Sequence, residues 1–381
     1  EAVLYEEGSS FGGLAGGTYE KHQRWSLEYF YHHVFTNDKE ILGLAKKVGV
    51  KVLIKKPATT SFLKKKEIPL DSPISVLKFS GLSVFGRVRM GVGLAILKLI
   101  PNGLFLEKYK VVEMLPRLIG KEGYGVIWEK LLKAKFGPYS NEVNMAWFWA
   151  RVAKRTKNLG YFEGGFQNLA DKVGESIEKK GGEIRLNTKW TGNDEGFDGV
   201  VMTTPAPVTE KILGEKIHFP KLNYLWGQTL VLELSEHLIA GYWMNILEKN
   251  WPFLVVVEHT NMIDKKHYGN NRVVYLGNYL PDGNKQLMMS KEELLSAYLP
   301  YLRKVNKCFR KKWIKSIAVF RKPFAQPVFP INYSKEIPKM KREYKGLYLA
   351  NMSMVYPFDR GTNYAVKMGL SVAKQIVSDL R

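Results

Sequence analysis

One cysteine, Cys308, stands in 381 residues, so no disulfide can close within the chain, and a reducing cytoplasm is the matching compartment. Carboxylates are scarce as well. Asp and Glu number 36 against 58 Lys and Arg, a formal net charge of +22. The excess is spread over the whole chain, with short clusters at Lys55 and Lys56, at Lys64, Lys65 and Lys66, and at Arg310, Lys311 and Lys312. A dedicated nucleic-acid binder gathers its charge on one face or in a tail, so that class is set aside. A lysine-rich source, attraction to phosphate-bearing substrates, and attraction to an anionic membrane surface are the readings that remain. No apolar run reaches the roughly 20 uninterrupted residues that a membrane-spanning helix needs. Residues 80–106 come nearest, but Arg87, Arg89 and Lys98 interrupt them. They read as a buried helix, with a helix dipping into one face of a bilayer as the alternative. The expected location is cytoplasmic, with peripheral contact at the inner face of the membrane left open. His259 lacks a partner at metal-ligand spacing, so no metal is expected, and there is no nucleophile elbow or Cys–His arrangement.

What is present points to a two-domain globular protein, with 45% hydrophobic and 25% charged residues. Residues 2–6 are a short apolar run ending in Glu6, which reads as a buried parallel strand whose last residue faces the crevice at the sheet's carboxyl end. A carboxylate there can accept hydrogen bonds from both hydroxyls of an adenosine ribose. Gly12 and Gly13 follow, and with no Cβ in the way the backbone at Gly12, Gly13 and Leu14 can approach a pyrophosphate closely. Further on, Gly164 and Gly165 open a helix with Phe166, Leu169, Ala170, Val173 and Ile177 at helical spacing, and Gly181 and Gly182 close it. Strands over 183–187 and 199–205 flank a returning βα pattern. From 206 to 339 the pattern turns to antiparallel-type strands broken by turns, and a final strand, 346–351, leads into a helix that runs to the chain's end.

These segments resemble FAD-dependent oxidoreductases of the amine oxidase, protoporphyrinogen oxidase and phytoene desaturase type. The likeness rests on Glu6 with Gly12 and Gly13, on the GG–helix–GG–strand segment with the strand ending Thr203, Thr204, Pro205, and on residues 346–365. Segments 135–137, 258–261 and 359–365 are similar to a protoporphyrinogen-oxidase-like subgroup associated with cell-surface sugar pathways. The resemblance implies an α/β fold: a Rossmann-like FAD-binding domain assembled from 1–36, 157–206 and 340–381, with an inserted α+β substrate domain. That insertion divides into a helical part, 37–156, and a mixed-sheet part, 207–339. In such folds a strand, a G-x-G-x-x-G turn and a helix precede the point at which this sequence opens. The nearest internal imitation, 91–96, has Ile96 where a small residue must pack, so the parallel sheet is expected to lack its first strand, the N-terminus being missing.

The same resemblance implies FAD as cofactor and hydride transfer from an organic substrate to flavin N5, in a cell-surface sugar or isoprenoid pathway. A non-redox mutase acting on UDP-sugars and a degenerate flavoprotein fold serving as a binding module are the alternatives. FAD is expected to meet Glu6, Gly12, Gly13 and Leu14, then Asn351, Gly361, Thr362 and Asn363. The sequence has Ala350 and Asn351 where the class commonly has Gly–Asp. The final helix is expected to aim its first amides and positive dipole at the flavin's pyrimidine edge. His32 and His33 lie in an aromatic stretch resembling the His-rich segment beside the flavin in UDP-galactopyranose mutases, and with His259 they are the candidate catalytic bases. Arg151 and Arg155, spaced i, i+4, can clamp a phosphate or carboxylate or form the solvated flank of a helix. Asn245, Glu258, Asn261, Tyr356 and Arg360 complete the expected contacts to a small-molecule substrate, with phosphate-bearing molecules among the options.

Overall fold

Alternating β-branched and leucine-rich runs build the largest element, a seven-stranded sheet in the order Ile314–Val328, Asn223–Leu234, Arg272–Leu280, Val255–Glu258, Trp243–Ile246, Thr59–Leu63 and Lys66–Pro69. The computed structural model describes residues 2–70, 73–193, 195–344 and 346–381. Pairing is antiparallel throughout the sheet except where Trp243–Ile246 runs parallel to Thr59–Leu63. Strand periodicity decides what each face packs against. Leu230, Leu232 and Leu234, with Val274 and Leu276, face the Lys291–Val305 helix through Leu294, Tyr298 and Leu302. Val231, Val273 and Tyr275 face the other way, towards Val34, Ile41 and Tyr161. Both faces are therefore covered, which is why these strands read as nearly continuous apolar runs.

The parallel strands form two separate ribbons. Val3–Tyr5 pairs with Glu183–Arg185, and Val200–Met202 pairs with Leu347–Leu349. An interrupted parallel sheet is the arrangement that the sequence predicts. The Phe166–Glu178 helix begins after Gly165 at φ 92° and ends before Gly181 at φ 82°, left-handed positions that glycine takes at little cost.

Between residues 84 and 153 the chain is helical. Val84–Leu99, Val111–Ile119, Glu129–Phe136 and Met145–Ala153 pack round Met90, Leu115, Ile119 and Trp149. Gly137, at φ 54°, stops the third of these helices. The Val84–Leu99 helix departs from its expected burial: only Gly86, Met90, Gly93 and Leu97 are buried, and its opposite face is open. Among the described residues no helix is long and apolar enough to cross a membrane.

A second departure concerns the Lys39–Lys47 helix, where Asp38 has the residue type and the position of a side-chain cap. The Asp38 carboxylate instead accepts from the Phe35 N–H at 2.8 Å. The helix's first amides, those of Glu40 and Ile41, are taken by Asn363 Oδ1 at 3.0 and 3.1 Å.

Candidate active site

A cavity of about 740 Å³ opens where these parts meet. Gly12, Gly13 and Leu14 line it together with Gly361, Thr362 and Asn363, so the two ends of the chain converge on one space. Gly12 and Gly13 have φ of 120° and 57°. A Cβ on Gly12 would come within 3.0 Å of the Gly16 Cα, so the loop needs glycine there. Gln167, in the first turn of the Phe166–Glu178 helix, fixes the loop from outside. Its Oε1 accepts from the Gly17 N–H at 3.0 Å and its Nε2 donates to the Phe11 carbonyl at 3.0 Å. The Gly12, Gly13 and Leu14 N–H groups have no acceptor among the described residues, nor do those of Thr362 and Asn363 at the start of the Thr362–Asp379 helix. Two sets of free backbone donors thus border one cavity, one of them carrying the positive end of an 18-residue helix.

The cavity's helical and sheet walls hold a cluster of charge. Asp359 Oδ2 accepts from Arg151 at 2.8 Å and from Lys135 at 3.3 Å. The Lys135 ammonium also lies 5.0 Å above the Trp147 ring and 5.3 Å above Tyr279, and Arg360 stacks 4.8 Å over Tyr279 while donating to its hydroxyl. Burial alone would raise the pKa of Asp359, but Lys135, Arg151 and Arg360 outweigh it and hold the carboxyl well below its ordinary range. Arg155 differs from its neighbours in making no hydrogen bond or ion pair among the described residues. Its surface is open along the cavity, yet protein surrounds it, and this burial together with the Arg151 charge pushes its pKa down to about 9. At neutral pH it stays protonated. Trp128 Nε1, Trp147 Nε1 and Asp359 Oδ1, on lining residues, are buried atoms without a partner among the described residues.

His32 and His33 line the cavity too. The His32 Nδ1–H donates to the Phe30 carbonyl at 2.6 Å, which leaves Nε2 as the basic nitrogen of the neutral ring. Burial, only partly offset by that bond, lowers its pKa to about 4. The His33 Nδ1 lies 3.3 Å from the Tyr242 hydroxyl, and burial followed by Arg155 lowers its pKa to about 3. Asn245 lines the wall with its Oδ1 occupied by Trp243 Nε1 at 2.9 Å. Asn363 borders the cavity, but its side chain is spent on the Lys39–Lys47 helix, which leaves its backbone N–H for a ligand.

Several residues singled out in the sequence lie elsewhere and serve the scaffold. His259 is buried, its Nε2 2.8 Å from the Tyr268 hydroxyl, in a chain that continues through Tyr161 to Glu28. Glu258 accepts from the Leu238 and Ile239 N–H groups, both at 2.9 Å, and from His237 at 2.6 Å. Asn261 donates to the Gly241 and Ile239 carbonyls at 2.6 and 3.0 Å. Tyr356 packs on Phe329 and Tyr333. Glu6 is outside the lining, with its Oε1 accepting from the Gly8 N–H at 2.7 Å. Asn351 is buried beside the lining residues Met352 and Ser353; its Oδ1 holds Ser353 and its Nδ2 has no partner among the described residues.

Lys135 and Tyr279 are site residues that the sequence reading passed over. Lys135 carried a signal, because it falls on the buried face of its helix with Leu132 and Phe136, where a lysine needs a partner. Tyr279 carried none.

The model of the family described as flavin containing amine oxidoreductase matches residues 1–377. The chain belongs to that family. It is an FAD-dependent oxidoreductase. Solved structures of similar fold include a protein from Exiguobacterium sp. 255-15 designated a protoporphyrinogen oxidase, at 16% identity and a TM-score of 0.75, the match covering 99% of this chain and 93% of that one. Reduced UDP-galactopyranose mutase matches at 11% identity and a TM-score of 0.73, covering 98% and 90%. Cyclohexylamine oxidase from Brevibacterium oxydans IH-35A matches at 12% and 0.69, covering 99% and 93%. At these identities the likeness is one of fold. Comparison with curated proteins gives no match.

The donors described above fit this family's cofactor. Glycine backbone suits an approaching pyrophosphate, the unpartnered Asn351 Nδ2 suits a hydroxyl or carbonyl oxygen, and free helix amides suit a site of developing negative charge. All are donors, and FAD is rich in acceptors.

Proposed function

We propose that this flavin oxidoreductase acts on an organic substrate bearing an anionic group, phosphate or carboxylate, which docks on Arg155 and Arg151. The observation that carries the reading is Arg155: a cation that makes no hydrogen bond or ion pair among the described residues, beside a second arginine, on the wall of an aromatic cavity. Arg151 and Arg155 repel one another across the cavity wall, and an anion supplied by a ligand relieves that repulsion. Tyr279, half-buried on the same wall, offers an aromatic ring for the rest of the molecule. The cluster supports a phosphate-bearing substrate of the kind that cell-surface sugar and isoprenoid pathways share.

FAD, when bound, supplies the two-electron acceptor for a hydride leaving a substrate C–H bond. Gly12, Gly13 and Leu14 would hold its pyrophosphate through backbone N–H groups, Asn351 a hydroxyl, and Thr362 and Asn363 the electron-poor ring edge. His32 Nε2 is the basic atom available for a substrate proton, because its Nδ1 proton is committed to Phe30. The low pKa of His32 keeps that nitrogen unprotonated throughout the neutral range.

The Arg151 and Arg155 pair also favours a second reading, rearrangement of a sugar nucleotide without net oxidation. The test is an anaerobic titration of the FAD-loaded protein with phosphorylated and carboxylated candidates, followed by flavin absorbance. Bleaching supports oxidation, whereas turnover only after dithionite reduction supports the rearrangement. Arg155→Gln is expected to raise KM roughly tenfold or more with kcat little changed. An unchanged KM would refute the assignment of Arg155 to the anion.

A further inference from the structure

The Val84–Leu99 helix has two unlike faces. Gly86, Met90, Gly93 and Leu97 are buried, and a Cβ on Gly93 would meet Ile119 at 2.9 Å, so the helix seats closely on Val111–Ile119. The opposite face carries Phe85, Val88, Val92, Ile96 and Leu99, at exposures of 47 to 81%. Steps of three and four residues align them in one stripe. Ile74, Leu77 and Phe105, at 65, 50 and 59% exposure, flank the helix in the chain. Among the described residues, ten of the twenty large apolar side chains left exposed fall between positions 74 and 109. Apolar surface gathered in this way marks an interaction site.

Charge selects the occupant. Residues 73–110 contain six cations, Lys78, Arg87, Arg89, Lys98, Lys108 and Lys110, and a single carboxylate, Glu107. Glu107 is buried and committed to Ser334 through its hydroxyl and N–H, and Glu122, which reaches the helix's first turn from further along the chain, is spent on the Ser83 N–H and hydroxyl. Arg89 and Lys98 are exposed on the two sides of the stripe, where long side chains can keep their heads in a polar layer above apolar stems. A second copy of this chain, at a net charge of +22, is a poor match for such a rim, and a surface of lipid phosphates is a good one. The helix has 16 residues, about 24 Å at 1.5 Å per residue, so it is built to lie along a bilayer rather than to cross it.

We propose that this face docks on an anionic phospholipid bilayer, with the stripe at the acyl boundary and the basic residues among the headgroups. The helix packs against Met145–Ala153, which supplies Trp147, Phe148 and Arg151 to the cavity, so the docked face and the cavity share one helical layer.

Flotation of the FAD-loaded protein with vesicles tests this, using phosphatidylcholine alone and phosphatidylcholine containing about 30% phosphatidylglycerol. The wild type is expected to float with the anionic vesicles and far less with the neutral ones. Val88→Glu with Val92→Glu should lower that binding by at least about tenfold, because two apolar contacts become repelled charges. Arg89→Gln with Lys98→Gln should weaken it about fivefold per charge removed, on anionic vesicles only. All four positions are exposed, and the one bond lost, Arg89 to the Arg117 carbonyl, is itself at the surface, so the unfolding midpoint should change little. Met288→Glu, at an apolar residue 87% exposed outside the stripe, should bind as the wild type does. The proposal is overturned by a wild type that fails to float, or by a Val88→Glu, Val92→Glu protein that floats equally well. It is overturned too by a wild-type dimer in gel filtration that this double variant makes monomeric, since a second copy would then cover the face.

Discussion

Replacing Asp359 with asparagine keeps the shape of the cavity wall and removes its one carboxylate between three cations. Lys135 and Arg151 lose an ion partner at 3.3 and 2.8 Å, and Arg360 loses an attractive neighbour. Breaking a buried pair from one side costs about 3–5 kcal/mol. Arg151 and Asp359 side chains are 25 and 26% exposed, so water screens part of that, and about 2–3 kcal/mol is the reasonable loss. For 381 residues, an unfolding entropy of about 2.1 cal/mol/K per residue converts this to a fall in Tm of about 3–4 °C. The assay is urea unfolding and calorimetry of wild type and Asp359→Asn at matched FAD loading. The carboxyl's pKa is depressed in the folded protein, so its contribution is whole above the unfolded value near 4 and fades as pH falls through the lower folded value. The gap between the two proteins should therefore be constant from pH 5 to about 8 and close below about pH 4. Millimolar phosphate should recover much of the loss in the variant by settling among the freed cations. A variant as stable as the wild type, indifferent to phosphate, would refute the view that Asp359 holds this cluster together.

Asn363→Ala removes the acceptor for the Glu40 and Ile41 amides and the donor to Glu40 Oε2, and is expected to cost about 2 kcal/mol, the upper end for a lost helix cap. Hydrogen exchange should rise first in Lys39–Lys47, and unchanged protection there would contradict the cap. Glu28 accepts from Tyr161 and the Phe166 N–H, but burial dominates and raises its pKa to about 7. The folded state then binds a proton that the unfolded chain has released, so stability should fall by about 3 kcal/mol as pH rises from about 4.5 through 7. Glu28→Gln should flatten that slope in urea midpoints, and a wild type without the slope would sink the argument.

The parts of the site that could be read in advance are those written in neighbouring residues. Gly12 and Gly13 announce a backbone that side chains cannot follow, and their φ of 120° and 57° agree. The βα pattern from Phe166 to Met202 and the helix from Thr362 rest on local periodicity and glycine punctuation, and both stand where the sequence puts them. Arg151 follows Trp147 by four residues, one helical turn, and its guanidinium lies 5.7 Å over the Trp147 ring. Polar residues were harder to assign. His259, Glu258 and Asn261 have the chemistry of a site, but chemistry is indifferent between a ligand and a buried backbone carbonyl. Only the surroundings show that they hold loops in place.

By itself the sequence determined the element types, the glycine loop, the parallel strands at both ends of the chain and the excess of positive charge, since each depends on side chains a few positions apart or on composition. Tertiary structure alone decided that Asn363 rather than Asp38 caps a helix 323 positions away, and that Lys135 meets Asp359 across 224. It also decided that, among the described residues, Arg155 makes no hydrogen bond or ion pair and one face of Val84–Leu99 is left open. The reason is geometric. Hydrogen bonds and ion pairs act over about 3 Å, and chain separation says nothing about which distant groups folding brings within that reach.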